Sequence, residues 1–170
     1  MPNMSLKRVE MPVQNGKVRS GNIDEVALGY TEEMAVEEAN RCLDCKHKPC
    51  MQGCPVSIHI PDFIREVREK NFEKAYGILK STSSLPAVCG RVCPQENQCE
   101  KYCVRAIKGE SVGIGRLERF VADWARENLK EEMTKPVTNG HKVAIVGAGP
   151  LVQVIWLSWD MRLLFLKPYM

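Results

Sequence analysis

The sequence predicts an all-α domain with cysteine-bearing loops, followed by the first strand of an incomplete Rossmann-type unit. Three observations predict it. Apolar residues recur at helical spacing in four stretches between residues 31 and 129. Eight cysteines fall in two groups of four, in and between those stretches. A β-branched run, Lys142 to Val146, leads directly into Gly147-Ala148-Gly149. At 170 residues there is room for one domain and a fragment of a second.

Residues 1–30 show no sustained period and contain Pro2, Pro12, Gly16 and Gly21. They read as an extended arm that wraps a partner or the domain itself. A helix is expected from Thr31: Thr31 can N-cap it, and Glu32 and Glu33 favour its positive end. Met34, Ala35, Ala39, Cys42 and Leu43 share one face, so this helix should deliver the first cysteines. Residues 46–55 read as a loop folded around metal. Pro61 suits the first turn of a second helix with Phe63, Ile64 and Val67 buried. Asn71 reads as the N-cap of a third, carrying Phe72, Ala75, Tyr76 and Leu79, and the serine-rich run 81–84 ends it. Residues 85–94 are expected to be irregular. The last helix is the clearest, with Ile114, Leu117, Phe120, Val121, Trp124 and Leu129 in step. The helical domain is thus placed at 31–135.

The first cysteine group reads C-x2-C-x4-C-x3-C-P (Cys42, Cys45, Cys50, Cys54-Pro55) and the second C-x3-C-P-x5-C-x3-C (Cys89, Cys93-Pro94, Cys99, Cys103). So many close thiolates are too many for one metal ion. The Cys-Pro ending marks bacterial-type iron–sulfur sites, in which the last cysteine of a run often serves a different cluster from its neighbours. A structural zinc-binding interaction domain is the alternative, but zinc takes one tetrahedral set, and only Cys42-x2-Cys45 resembles half of one. Disulfides would need an oxidising compartment, whereas the charged N-terminus has no apolar leader, so a cytoplasmic location is expected. With 6% aromatic residues a large apolar core is not expected, and clusters would serve as part of the core. Net charge is +3, which gives no reason to expect nucleic acid as a partner.

Residues 136–150 read as a linker plus the strand and glycine turn that open an FAD-binding domain, with Gly147 and Gly149 as the residues that let backbone approach a pyrophosphate. The third glycine of that motif would fall at 152, which is Val152, so the site is begun and not finished. Residues 151–170 (LVQVIWLSWDMRLLFLKPYM) do not suit a membrane anchor, because Asp160 and Arg162 interrupt them. They read as an aberrant, frame-shifted tail. Shifting the codons by one base allows the neighbouring frame to read CAGDLAKLGYEVTIFEALH. That string supplies the helix, β-branched strand and acidic residue that belong after a dinucleotide-binding turn.

The segments CLDCKHKPCMQGCPVSIHIPDFI, CGRVCPQENQCEKYC and SVGIGRLERF carry a resemblance to a known family. Residues 32–150 resemble the N-terminal cluster domain of the small subunit of NADPH-dependent glutamate synthase. They are also similar to the same domain of dihydropyrimidine dehydrogenase and of the large subunit of NADH-dependent ferredoxin:NADP oxidoreductase. The resemblance implies a helical ferredoxin-like domain holding two 4Fe–4S clusters, placed before an FAD- and NADPH-binding domain. It implies that Cys42, Cys45, Cys50 and Cys103 hold one cluster and Cys54, Cys93 and Cys99 the other. The missing eighth ligand is implied to come from the long helix at Glu118. Cys89 is the spare thiol and could fill the same place.

The expected function is an electron-transfer module, passing electrons between a flavin domain normally in the same chain and a second redox subunit. FAD and NADPH would be bound only by a full-length form. A small enzyme using the Gly147/Gly149 turn for a nucleotide is the remaining rival.

Overall fold

Thr31 turns the chain into its first long helix, its hydroxyl accepting from the Met34 amide at 3.3 Å. The computed structural model describes residues 3–129. Among them the regular elements are helices, with one isolated bridge between Val13 and Ala27. In chain order these are α1 (Gly16–Arg19), α2 (Glu32–Ala39), α3 (Pro49–Gln52), α4 (Ile60–Arg68), α5 (Phe72–Lys80), α6 (Pro86–Val92) and α7 (Ile114–Asn128). Three short 3-10 turns, Gln95–Asn97, Glu100–Tyr102 and Val104–Ile107, lie between α6 and α7. The all-α expectation holds for the described residues. The expected strand at 142–146, Gly147, Gly149 and the tail 151–170 lie outside them.

The core forms where the expected stripes meet. Phe63, Ile64 and Val67 of α4, Phe72, Ala75 and Leu79 of α5, and Leu117, Phe120 and Val121 of α7 are all buried. Phe72 sets its ring edge-on against Phe120 and Trp124, with centroids 5.2 and 5.4 Å away. Between α4 and α5 the chain reverses through Lys70, a non-glycine residue at φ +60°. Asn71 occupies the N-cap position of α5, but its side chain makes no capping bond and instead donates to Glu66.

Four expectations about helix extent are corrected. The first long helix ends at Ala39, short of Cys42 and Leu43. Its last turn tightens, with Arg41 and Cys42 amides bonding back three residues to Glu38 and Ala39, which releases Cys42 into a loop. Residues 85–94, expected to be irregular, contain α6. Pro86 seeds it, and Gly90 is a close-approach residue there: a Cβ would stand 2.6 Å from the Arg119 backbone nitrogen. The expected loop at 46–55 likewise contains the single turn α3. Leu129 caps α7 and is not part of it.

Residues 3–9 of the arm lie on the domain itself. Asn3 donates its amide to the Asn40 carbonyl at 2.7 Å, and Leu6 accepts from the Glu110 amide at 2.8 Å. The anchor is a fully buried pair, Glu38 and Arg41, joined at 2.6 Å. Glu38 also accepts from the amides of Val9 (2.6 Å) and Gly113 (2.8 Å), while Arg41 donates to the carbonyls of Ser5, Glu110 and Ser111. One ion pair thus ties together the arm, the approach to Cys42 and the segment that starts α7.

Candidate metal centres

Cys42 leaves the tightened end of α2, and Asp44 and Lys48, both at positive φ, coil the chain so that Cys45 and Cys50 return beside it. Lys48 is followed by Pro49, which starts α3 and carries Cys50. Cys103 arrives from the opposite direction, between two 3-10 turns. These four thiols line one cavity whose walls include Ile60 and Ile64 of α4 and Ile114 of α7. The Val112 amide donates to Cys103 Sγ at 3.5 Å.

Burial pushes the Cys50 thiol up to about 12, with the nearby Cys42, Cys103 and Cys45 thiols adding to it. Cys42 is raised to about 11 by burial and then by Cys103 and Cys45, against an opposing backbone hydrogen bond. Cys45 is raised by burial, then by Cys103 and Asp44, against an opposing backbone hydrogen bond. Thiols in this state are inert unless a cation offsets the crowding of negative charge, which is what metal binding supplies.

A second group forms below α6. Gly53 makes it possible: a Cβ there would stand 2.7 Å from the Gln98 carbonyl oxygen, so only glycine lets the Cys54 segment press against the Cys99 segment. Burial, then Glu100 and Cys54, push the Cys99 thiol up to about 12. Cys93 is raised to about 11 by burial, then by Cys89, Glu118 and Cys54. The close crossing at Gly90 brings α6 onto the turn of α7 that carries Glu118. Cys54, Cys93, Cys99 and Glu118 are therefore near neighbours, and Cys54 groups away from the three cysteines that precede it.

Glu118 is 6% exposed, and its Oε1 has no hydrogen-bond partner. Burial alone raises its carboxyl to about 7. A solvent-facing helix glutamate would show none of this. An orphaned, buried oxygen beside the Cys93 and Cys99 thiols is costly unless something else binds it. A cation held by those thiols would supply that partner. Cys89 also neighbours Cys93, and its sulfur accepts from the Ser83 hydroxyl at 3.8 Å.

Among the described residues no three His, Cys, Asp or Glu side chains converge closely enough to hold a single ion. The donor sets, mostly soft thiolates with one oxygen and with N–H groups directed at sulfur, fit an iron–sulfur group.

Sequence reasoning missed one feature of this region: the Glu38–Arg41 pair was legible only as an i, i+3 pair of opposite charge just before Cys42. The basic run from Arg105 to Lys108 is visible beside the cysteines in the sequence, where it reads either as a solvated face or as charge that offsets a cluster or steers an acidic partner. In the fold Arg105 lines the first cavity and is 8% exposed. Among the described residues no helix is long and apolar enough to cross a membrane.

Comparison with known proteins gives the same chemistry. Residues 19–130 match the family described as dihydropyrimidine dehydrogenase domain II, 4Fe-4S cluster. The chain is 39% identical over 140 residues to the NAD-dependent dihydropyrimidine dehydrogenase subunit PreT of Escherichia coli (strain K12), covering 82% of this chain and 32% of PreT. It is 36% identical over 148 residues to the glutamate synthase [NADPH] small chain of the same organism, covering 86% of this chain and 31% of that one. Against the putative oxidoreductase UacF, also from that organism, identity is 39% over 134 residues, covering 78% and 21%. The chain spans about a third or less of the length of these curated relatives. The chain belongs to the dihydropyrimidine dehydrogenase domain II family of 4Fe–4S cluster domains.

Proposed function

We propose that this domain holds two 4Fe–4S clusters and relays electrons between an FAD- and NAD(P)H-binding domain and a partner redox subunit. Cys42, Cys45, Cys50 and Cys103 are the ligands of the first cluster. Cys54, Cys93, Cys99 and Glu118 are those of the second. The observation that carries the reading is the crossed grouping of Cys54 and Cys103, together with the orphaned carboxylate oxygen of Glu118. Bound clusters accept and release single electrons, whereas a nicotinamide delivers a hydride, so a flavin is needed between them.

The protein's own part is to hold, insulate and tune. Ile60, Ile64 and Ile114 keep water from the first group, and the Val112 amide donates to Cys103. Relatives named as an NAD-dependent dihydropyrimidine dehydrogenase subunit and an NADPH glutamate synthase small chain support an oxidoreductase setting in which a second subunit receives or supplies the electrons. A cytoplasmic location is the setting in which eight cysteines stay available as metal ligands. The flavin domain is assigned to sequence continuing from the Gly147/Gly149 turn, and residues 151–170 to an out-of-frame reading of it. Resequencing across those codons checks that assignment, and an unbroken frame through them with no flavin-domain sequence beyond would overturn it.

Metal analysis of anaerobically reconstituted protein tests the reading. About eight irons and about eight sulfides per chain are expected. A plateau near four irons, or colourless protein with one or two tightly held zinc ions, would reject it.

A further inference from the structure

Among the described residues, the cavity lined by Cys42, Cys45, Cys50 and Cys103 has a single charged side chain in its wall, Arg105. Arg105 sits on the 3-10 turn Val104–Ile107, immediately after the last of those cysteines. Its side chain is held at the far end. Nη1 donates to Met4 Sδ at 3.6 Å, and Nη2 donates to the Ser5 carbonyl. Nε is buried and has no partner, and no carboxylate among the described residues pairs with the guanidinium.

The contrast with Arg41 is informative. Arg41 is also buried, but it has the Glu38 carboxylate and four carbonyls around it. Arg105 has neutral partners only. A buried guanidinium without a counter-anion and with an unmet donor is a costly arrangement. It becomes favourable when an anionic group fills the cavity beside it. Four thiolates and their inorganic sulfides are such a group, and the Val112 amide already directs a donor at Cys103 sulfur from the same region.

Resting on the proposed ligand sets, we propose that Arg105 tunes the first cluster, donating its Nε–H to sulfur there and setting that cluster's reduction potential above what the four thiolates alone would give. Hydrogen bonds and positive charge near cluster sulfurs favour the reduced, more negative state. Met4 and Ser5 hold the guanidinium in place, so the N-terminal arm becomes part of the electron-transfer machinery. The step affected is addition of one electron to the first cluster, with no bond made or broken in the protein.

The test is a redox titration of the iron-loaded full chain, following each cluster by electron paramagnetic resonance. The signal lost in Cys103→Ser identifies the first cluster. Arg105→Met is expected to lower the first cluster's potential by at least tenfold in its reduction equilibrium, about 59 mV for a one-electron couple. The second cluster should stay within error and serves as the internal control. If Arg105→Met does not load the first cluster, Arg105→Lys is read instead. It keeps the charge without the Nε–H and should shift the equilibrium at least threefold in the same direction. An unchanged first-cluster potential in the variant that loads, or an equal shift of both clusters, would overturn the inference. Failure of the wild-type chain to show two signals would instead refute the proposed function, so the two failures are distinguishable.

Discussion

Glu38→Gln should destabilise this domain far more than an ordinary surface glutamine substitution. Three donors converge on the two carboxylate oxygens: Arg41 at 2.6 Å, the Gly113 amide at 2.8 Å and the Val9 amide at 2.6 Å. A glutamine has one carbonyl oxygen and one NH2 group, so at least one N–H would face another N–H. The change also leaves the fully buried Arg41 guanidinium without its counter-charge. Breaking a buried pair from one side costs about 3–5 kcal/mol. For a domain of this size that corresponds to a drop of roughly 10–20 °C in the unfolding midpoint. The assay is thermal unfolding of iron-loaded protein followed by circular dichroism. Replacing both partners, as in Glu38→Met with Arg41→Leu, should not restore stability, because the Val9 and Gly113 amides and the Ser5, Glu110 and Ser111 carbonyls would then lose their buried partners. A Glu38→Gln cost below about 1 kcal/mol, or full recovery in the double variant, would refute the reasoning.

Other outcomes follow from the second thiol group. Its loading should fall about tenfold per pH unit below about 7, beyond the dependence the thiols impose, because a proton then competes with iron for Glu118. The sign follows from burial raising this carboxyl: the metal-free fold favours the protonated form and loses that contribution as pH rises through about 7, while iron favours the carboxylate over the same window. Iron retention against pH, compared with Glu118→Gln, measures it, and identical profiles would count against Glu118 as a ligand. Gly90→Ala should cost at least about 1–3 kcal/mol by overpacking, since its Cβ would meet Arg119 backbone at 2.6 Å, and should loosen the second group before the first. Cys89→Ala should leave both clusters in place, whereas Glu118→Ala should damage one. The reverse pattern in iron content and paramagnetic spectra would move the eighth ligand to Cys89.

Much of this was legible in the sequence because helical periodicity and cysteine spacing are local signals. Phe63, Ile64 and Val67, and then Leu117, Phe120 and Val121, repeat at the helical period and are buried as a stripe should be. The α6 helix was not legible, because Gly90 and the Cys-Pro pair read as loop chemistry. Its stability comes from packing against α7, which no local pattern records. Early termination of α2 was equally hidden, since it depends on Arg41 turning inward to carbonyls about seventy residues away. The donor sets depended on resemblance as well as on spacing. Glu118 is one glutamate among many until its burial and orphaned oxygen are seen.

The most direct test is the crossed assignment of Cys54 and Cys103. Mössbauer and paramagnetic spectra of iron-loaded Cys54→Ser and Cys103→Ser, each compared with wild type, would report which cluster each thiol serves. Cys103→Ser should perturb the same cluster as Cys42→Ser. Cys54→Ser should perturb the other, together with Cys93→Ser and Cys99→Ser, although Cys54 lies within the first run. If Cys54→Ser and Cys42→Ser damage one cluster while Cys103→Ser and Cys99→Ser damage another, each run of four holds its own cluster and the crossed arrangement is wrong.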